Sequence, residues 1–394
     1  MTTHVFVVNS TTFRLHLEYL FAGTGAKNYR IDFNISESTD LPGKIENLLV
    51  GMIADANRIR SGDFIIFYLQ QDRKHKIQDG KFYGIFKAKN DGSFLDNNDR
   101  QQYLKGPLRK SLTFRTLIEP YRIYPAGVTE WEALDEIKNI RRPDQMLWSL
   151  IYRKLKANRG NTMITIYESE KLCQLIRNKN HKHKISCNDK LLSFNLETQN
   201  IICVDEPAKP YEGRVENIDV LPRLIRKLIE KKSFEPHLQA YIVKNIGMGI
   251  NKTLDSSILG NGAIEWIGNE VSCGVGMQKI DVLLSVTNSR CRTVVPIELK
   301  TCLANERFVN QLQRYINWIE QYYIPNRKSH IQPILVCRQF AQKQTVKERP
   351  TEKYKRLINS FNKFNESNRH RCYKLKYVEF EIQNEDIIFK KIDY

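Results

Sequence analysis

The stretch QKIDVLLSVTNSRCRTVVPIELK, residues 278–300, decides how this chain reads. Two apolar runs, KIDVLL and TVVPIELK, flank a polar turn, which is the pattern of a β-hairpin. Side chains alternate across a strand, so Ile297 and Leu299 share one face while Glu298 and Lys300 share the other. Val294, Val295 and Pro296 just before them mark the strand as buried. A carboxylate and an ammonium in such a strand cost free energy unless something compensates them. An edge strand would avoid the difficulty by turning both charges to water.

Pairing of the two strands brings Asp281 beside Glu298 at one end of the sheet. Two carboxylates there suit a hard divalent cation, which prefers oxygen ligands and keeps several waters. The Leu299 carbonyl between them could also reach the metal. Lys300, on the same face as Glu298, would orient or polarise a water for attack on phosphorus. Metal and lysine together would offset the negative charge that develops. The buried charges then have a reason.

Outward from the hairpin, 394 residues suffice for two domains, each with its own core. A hydrophobic content of 41% with 27% charged residues excludes a disordered chain. The net charge of +18 favours a polyanionic partner, nucleic acid first and an anionic membrane second. The amino terminus has no charged region followed by a long apolar core, and no apolar run is long enough to span a bilayer. A cytoplasmic protein is therefore expected. The eight cysteines include no C-x-x-C, which argues against a zinc ribbon and for reduced thiols. His181, His183 and Cys187 lie among lysines in RNKNHKHKISCNDK, which reads as a solvated basic loop rather than a metal site.

Along the first region, HVFVV (4–8), FIIFYLQ, KFYGIFKAK and PYRIYP (120–125) read as strands. Helices are expected from Thr11 to Leu20 after the Asn9-Ser10-Thr11 capping signal, over 146–156, and from Glu168 to Ile176. Strands and short helices interleave without regular alternation, which predicts a small mixed α+β barrel over residues 1–177. A hairpin (191–206) and the linker PAKPYEGRVEN fill 178–218. From 219 to 394 the order is two helices, the central hairpin, a helix over 305–323, a strand over 333–338 and a terminal hairpin. That is a mixed sheet flanked by helices, an α/β domain.

The hairpin resembles the catalytic core of the PD-(D/E)xK nuclease superfamily, with Asp281 as the acidic motif residue and Glu298-Leu299-Lys300 as the E-x-K. The helix NQLQRYINWIEQYY that follows is similar to that of archaeal and actinobacterial NucS-type endonucleases. There a glutamine and a tyrosine follow the E-x-K strand, and Gln311 and Tyr315 match that Q-x-x-x-Y one turn apart. The first motif departs from the pattern, having no proline before Asp281. The resemblance covers about residues 220–340 and implies a restriction-endonuclease-like fold and Mg2+ (or Mn2+) as cofactor. It makes Asp281 and Glu298 metal ligands, Lys300 the water-positioning residue and Gln311 a support. Two further acids compete for a place. Glu235, in SFEPHLQAYIVKNI, is spaced to point towards the sheet as a supplementary ligand, or else complements the helix dipole after Ser233. Glu270 is expected to face solvent or to support the metal from outside.

The first region resembles the EVE/YTH group of PUA-like barrels, through VFVVNSTTF, SGDFIIFYLQ, KFYGIFKA and LWSLIYRKLKANRGN. That resemblance implies a nucleic-acid-binding domain that holds a flipped or modified base in an aromatic pocket. Tyr19, Phe21, Tyr68, Phe82, Trp131 and Trp148 are candidate walls, with Asn9 as edge reader, although most of these rings fit a barrel core equally well. The segment AQKQTVKERPTEKYKR (341–356) is expected to flank DNA phosphates. Together these readings describe a DNA endonuclease acting on modified, mismatched, branched or locally single-stranded DNA, with a homodimer compatible. The rival is a non-catalytic nucleic-acid-binding protein with a vestigial E-x-K.

Overall fold

The computed structural model describes residues 1–32, 41–142, 160–230, 232–273, 278–289, 291–323, 328–340 and 351–394. The helix expected over 146–156, with Trp148, and residues 341–350 of the basic segment lie outside the described residues. Among the described residues, those up to Ile218 form one unit and those from Asp219 form another. One unit is a curled half-barrel sheet and the other a mixed sheet flanked by helices, so the two-part α+β and α/β expectation holds. Among the described residues, no helix is long and apolar enough to cross a membrane.

The first unit contains β1 (Thr3–Val8), α1 (Ser10–Glu18), β2 (Phe21–Thr24), α2 (Gly43–Asn57), β3 (Phe64–Leu69), β4 (Lys81–Ala88) and β5 (Phe94–Leu95). After these come β6 (Phe114–Pro120), β7 (Val128–Thr129), α3 (Glu130–Leu134), β8 (Asn161–Ile164), α4 (Ile166–Lys179), β9 (Lys190–Asn195) and β10 (Asn200–Pro207). The sheet runs β2-β6-β4-β3-β1-β8, and β9 and β10 form a separate hairpin. α1 starts where expected because Asn9 accepts from the Thr12 N–H at 2.8 Å while the Thr12 hydroxyl accepts from the Asn9 N–H. Phe13 and Leu17 of α1 enter a core with Phe6, Phe67, Tyr83 and Phe86. Each such ring or branched side chain contributes about 1.5–3 kcal/mol on burial. The hairpin expected beside a linker packs into this same core through Leu192, Phe194 and Ile201.

Two expectations fail in this unit. The strand near PYRIYP is instead β6, which ends at Pro120, while residues 121–125 are bends and coil. The thiols are not all free, because Cys187 and Cys203 are joined as a disulfide across the β9–β10 hairpin. Strand pairing sets Cys203 opposite Leu192, within reach of the segment leading into β9.

The second unit contains α5 (Leu221–Ile229), α6 (Glu235–Asn245), α7 (Lys252–Ile258), β11 (Ala263–Ser272), β12 (Lys279–Thr287), β13 (Arg292–Leu303) and α8 (Phe308–Tyr322). β14 (His330–Ile331), β15 (Ile334–Arg338), α9 (Glu352–Ser367), β16 (Lys376–Gln383) and β17 (Asp386–Ile392) complete it. The sheet order is β11-β12-β13-β15-β16-β17, antiparallel at both ends and parallel from β13 through β15 to β16. Glu298, Leu335 and Tyr377 are cross-strand partners and share a face. α8 and α9 cover that face, through Tyr315 against Glu298 and Phe361 against Tyr377. α6 and α7 cover the other, through Phe234 against Phe380 and a hydrogen bond from Lys376 to the Ile258 carbonyl. The parallel strands are buried on both sides, which is why β13 and β15 read as continuous apolar runs.

Candidate active site

The β12–β13 ladder runs from Thr287 opposite Arg292 to Val282 opposite Ile297. Beyond it a side chain takes over from the backbone: Leu299 N–H donates to Asp281 Oδ2 at 2.8 Å. The Asp281 carbonyl in turn accepts from Gln239 Nε2 of α6 at 2.6 Å. Asp281 is thus fixed at the point where the two strands stop pairing.

Glu298 is only 1% exposed, yet it lies in the middle of the sheet. Tyr315 O–H donates to its Oε2 at 2.5 Å. Its Oε1 forms a 2.7 Å ion pair with Lys300 Nζ. The ammonium also donates to the Leu299 carbonyl at 2.9 Å and lies 3.4 Å from Glu235 Oε1. The Phe308 ring closes the site with its centroid 5.7 Å from Nζ. α6 supplies Glu235 because its first turn lies against the Lys300 end of β13; the helix begins after Phe234 with Pro236 in its first turn, not at a Ser233 cap.

Three carboxylates therefore converge on one ammonium. Burial and then the charge of Glu298 push Asp281 up to about 8, against the opposing pull of the Leu299 N–H and Lys300. Burial likewise raises the Glu235 carboxyl, with Lys300 opposing it. Burial disfavours the Lys300 ammonium, but Glu298, Asp281 and Glu235 outweigh it and hold the group above its ordinary range. Burial and then the charges of Glu298 and Asp281 raise the Tyr315 phenol, so it remains a donor. Once Asp281 is ionised, the site has more negative charge than its own cation compensates.

The structure brings Asp281, Glu298, Lys300, Leu299 and Glu235 together. From α8 the residue that reaches Glu298 is Tyr315; Gln311 lies half-buried one turn earlier. Glu270 pairs with Lys279 at 3.1 Å. Sequence reasoning passed over Gln239, although its position one turn after Glu235 on the same helix was a usable signal.

The aromatic candidates in the first unit separate sharply. Phe21 is fully buried between His16, Tyr211 and the Arg115 guanidinium, so no base can stack on it without unpacking the core. Tyr68 and Phe82 are buried against each other, with ring centroids 4.9 Å apart. Tyr19 is half-buried, edge-on to Tyr103. The Asn9 side-chain oxygen is engaged in the α1 cap. Trp131, on α3, is 62% exposed and is steadied by its indole N–H donating to Asp79 at 2.9 Å.

No protein-family model matches the chain, and no curated protein matches it. Solved structures with some likeness include a hypothetical protein from Leishmania major, at 10% identity over 45% of this chain and 96% of that one, TM-score 0.28. Human THYN1 in complex with 5-methylcytosine-containing DNA matches at 8% identity over 44% of this chain and 97% of that one, TM-score 0.25. SfsA of Pyrococcus furiosus in complex with Ca2+ matches at 12% identity over 39% of this chain and 62% of that one, TM-score 0.23. Scores this low carry no argument about fold or activity.

Proposed function

We propose that the chain is a divalent-cation-dependent DNA endonuclease, with Mg2+ or Mn2+ held by Asp281, Glu298 and the Leu299 carbonyl. One observation carries this reading: among the described residues, Lys300 is the single cation paired with both Glu298 and Glu235, and Asp281 adds a third carboxyl to the same field. A second cation would offset the charge that Lys300 leaves uncompensated. Among the described residues no three His, Cys, Asp or Glu side chains are gathered into a metal cluster. Two carboxylates and a main-chain oxygen suit a hard cation that keeps part of its water shell.

When bound, the cation would supply positive charge to the phosphodiester undergoing attack. The chain's own residues supply the rest. Lys300, kept as an ammonium, donates to the attacking water or to a non-bridging oxygen; it does not act as the base. Glu235, half-exposed beside it, accepts the proton of that water. Tyr315 holds Glu298 by one oxygen, leaving the other to face the site, and Gln311 supports from the same helix. The first unit engages the substrate, with Trp131 as the stacking face for a modified, flipped or unpaired base.

A structural ion pair is the second reading, favoured by the 2.7 Å approach of Lys300 to Glu298. A cleavage panel of methylated, mismatched, branched and plain DNA, with Mg2+ or with EDTA, tests the two. The nuclease reading expects metal-dependent cutting that Asp281→Ala abolishes while DNA affinity is nearly unchanged, since affinity arises mainly from phosphate contacts elsewhere. Cutting that persists in the variant or in EDTA removes the assignment, and no cutting of any substrate with no Mn2+ binding by calorimetry supports the ion pair.

A further inference from the structure

At the opposite end of the parallel strands, the second unit carries a groove of about 750 Å³ that the active site does not use. Its wall includes Gln332, just ahead of β15, and Tyr373, Lys374 and Lys376, which lead into β16. Glu298 and Lys300 lie towards the other end of β13, which runs parallel to these strands. Lys376 is in register with Ile334 and Ile297, so it projects from the face opposite Glu298. The two sites therefore lie towards opposite ends of the strands, and α9, which covers the Glu298 face, also lines the groove.

The groove is basic and has an aromatic floor. Arg369, Lys374, Lys376 and Lys391 line it against only two carboxylates, Glu366 and Asp393. Those two pair with Arg369 at 3.4 Å and Lys391 at 3.3 Å, which leaves Lys374 and Lys376 as the excess. Lys376 is half-buried, and desolvation followed by the charge of Lys391 lowers its pKa, a penalty that a bound anion would relieve. Tyr373 is 45% exposed, with its backbone N–H pinned to the Ile331 carbonyl at 2.9 Å and its ring backed by His330 at 5.1 Å. A held, half-open ring beside paired cations is the arrangement that receives a planar heterocycle and its phosphate together. A smaller hollow of about 170 Å³ shares Gln332, Tyr373 and Lys376 and extends the same wall.

We propose that this groove is a second nucleotide-binding site, in which Tyr373 stacks the base and Lys374 and Lys376 receive the phosphate. The nucleoside phosphate comes either as a free nucleotide or as one unit of a nucleic-acid strand. The proposal does not depend on the nuclease reading.

The test is equilibrium binding by the full chain in EDTA, so that no cleavage intervenes, to dTMP, inorganic phosphate and a short single-stranded oligothymidylate. At least one thymidine ligand should bind about tenfold more tightly than inorganic phosphate, a preference that Tyr373→Ala removes. Lys374→Glu should weaken that binding about tenfold, whereas Lys363→Glu, an equal charge change on α9 outside the groove, should leave it within about twofold. Saturable binding of dTMP identifies a free-nucleotide site, and binding of the oligonucleotide alone identifies a strand. Absence of both, equal loss in Lys363→Glu, or no preference over inorganic phosphate overturns the proposal. Lys374 is exposed, so its variant should fold, and a melting curve on the same preparation verifies that.

Discussion

Both units bury charge on a strand of their sheet, and they compensate it in opposite ways. In the first unit Arg115, fully buried on β6, donates to the Leu112 carbonyl at 2.7 Å, the Tyr103 carbonyl at 2.6 Å and the Tyr211 hydroxyl at 3.1 Å. Its partner Asp96 is 3.3 Å away and also accepts from Arg214 at 3.0 Å and from the Tyr103 N–H at 3.0 Å. There the buried carboxylate has two guanidinium partners, and the Arg115 guanidinium is spread over two carbonyls and a hydroxyl. In the second unit Glu298 and Glu235 share one ammonium, and Asp281 adds a third carboxyl to its field. A closed network rigidifies a fold, whereas an open one leaves free energy for a ligand to supply. On the proposed function, the second cluster is the one that binds a ligand.

The sharpest way to break this comparison is to remove the cation from each. Lys300→Ala should lower the single-turnover cleavage rate by about 10²–10³, with only a small change in melting temperature. The carboxylates it leaves behind can lower their repulsion by keeping a proton on Asp281, whose carboxyl is already pushed up to about 8. Lys300→Arg should not restore the rate, since a planar guanidinium does not replace a compact ammonium. Arg115→Ala should do the reverse. It strips donors from two buried carbonyls and from Asp96, destabilising the first unit by about 3–5 kcal/mol. If Lys300→Ala unfolds the second unit, or cuts normally, the two networks are of one kind.

Acid and alkali should separate the units next. Burial lowers His16 from 6.5 to about 3 and also lowers His4. A folded pKa below the unfolded one means that the unfolded chain binds the proton more readily. The first unit should therefore hold full stability above pH 6.5 and lose it as pH falls towards 3, by about 1.4 kcal/mol per pH unit for His16 alone. Asp281 has the opposite sign. Its folded pKa is raised, so its contribution is complete below about pH 4 and is lost as pH rises through about 8. Hydrogen exchange measured peptide by peptide across this range should show acid loosening α1 and alkali loosening the β12–β13 end. Mg2+ should reverse only the alkaline effect. Parallel behaviour of the two units, or Mg2+ protection of both, would contradict the contrast.

A smaller effect is expected at Tyr315. Tyr315→Phe keeps the ring packed and removes only the hydrogen bond to Glu298. Cleavage should fall about tenfold, the equivalent of one charge-assisted hydrogen bond of about 1.5 kcal/mol. An unchanged rate would mean that Glu298 is held by β13 alone.

How much of this was legible follows from the residues themselves. The hairpin at 278–300 could be read because its strands are unbroken apolar runs and its charges fall on alternate positions. Glu235 could be read from spacing within α6, and Gln239, one turn later, from the same spacing; that its partner is a main-chain carbonyl is marked by no sequence pattern. β6 was displaced in the reading by its own function: a fully buried Arg115 interrupts the apolar alternation of FRTLIEP, and the neighbouring PYRIYP looks more strand-like. α2 gave little signal because it begins after Pro42 with no side-chain cap and is buried on more than one stripe, through Leu49, Val50, Met52, Ile53 and Ala54. The Cys187–Cys203 bond depends on a hairpin register that only the fold supplies. Aromatic walls were over-assigned because composition does not distinguish a ring that lines a pocket from one that fills a core.

The smallest predicted effect addresses that last confusion, at Asn9. As the cap of α1 its side-chain oxygen satisfies the Thr12 N–H, and Asn9→Ala should cost about 1 kcal/mol of stability in the first unit. Ser and Asp cap nearly as well, so Asn9→Ser and Asn9→Asp should melt close to the parent. A base-edge reader behaves differently, because its amide presents a donor and an acceptor together, which neither Ser nor Asp reproduces. Trp131→Ala is the counterpart: an exposed ring contributes little to the fold, so melting should be unchanged while DNA affinity falls about tenfold, the value of one lost stacking contact. Melting curves and DNA binding on these four variants distinguish the roles without reference to cleavage. If Asn9→Ser melts like the parent but binds DNA poorly, Asn9 reads a base as well as capping its helix, and the first unit's recognition face includes the start of α1.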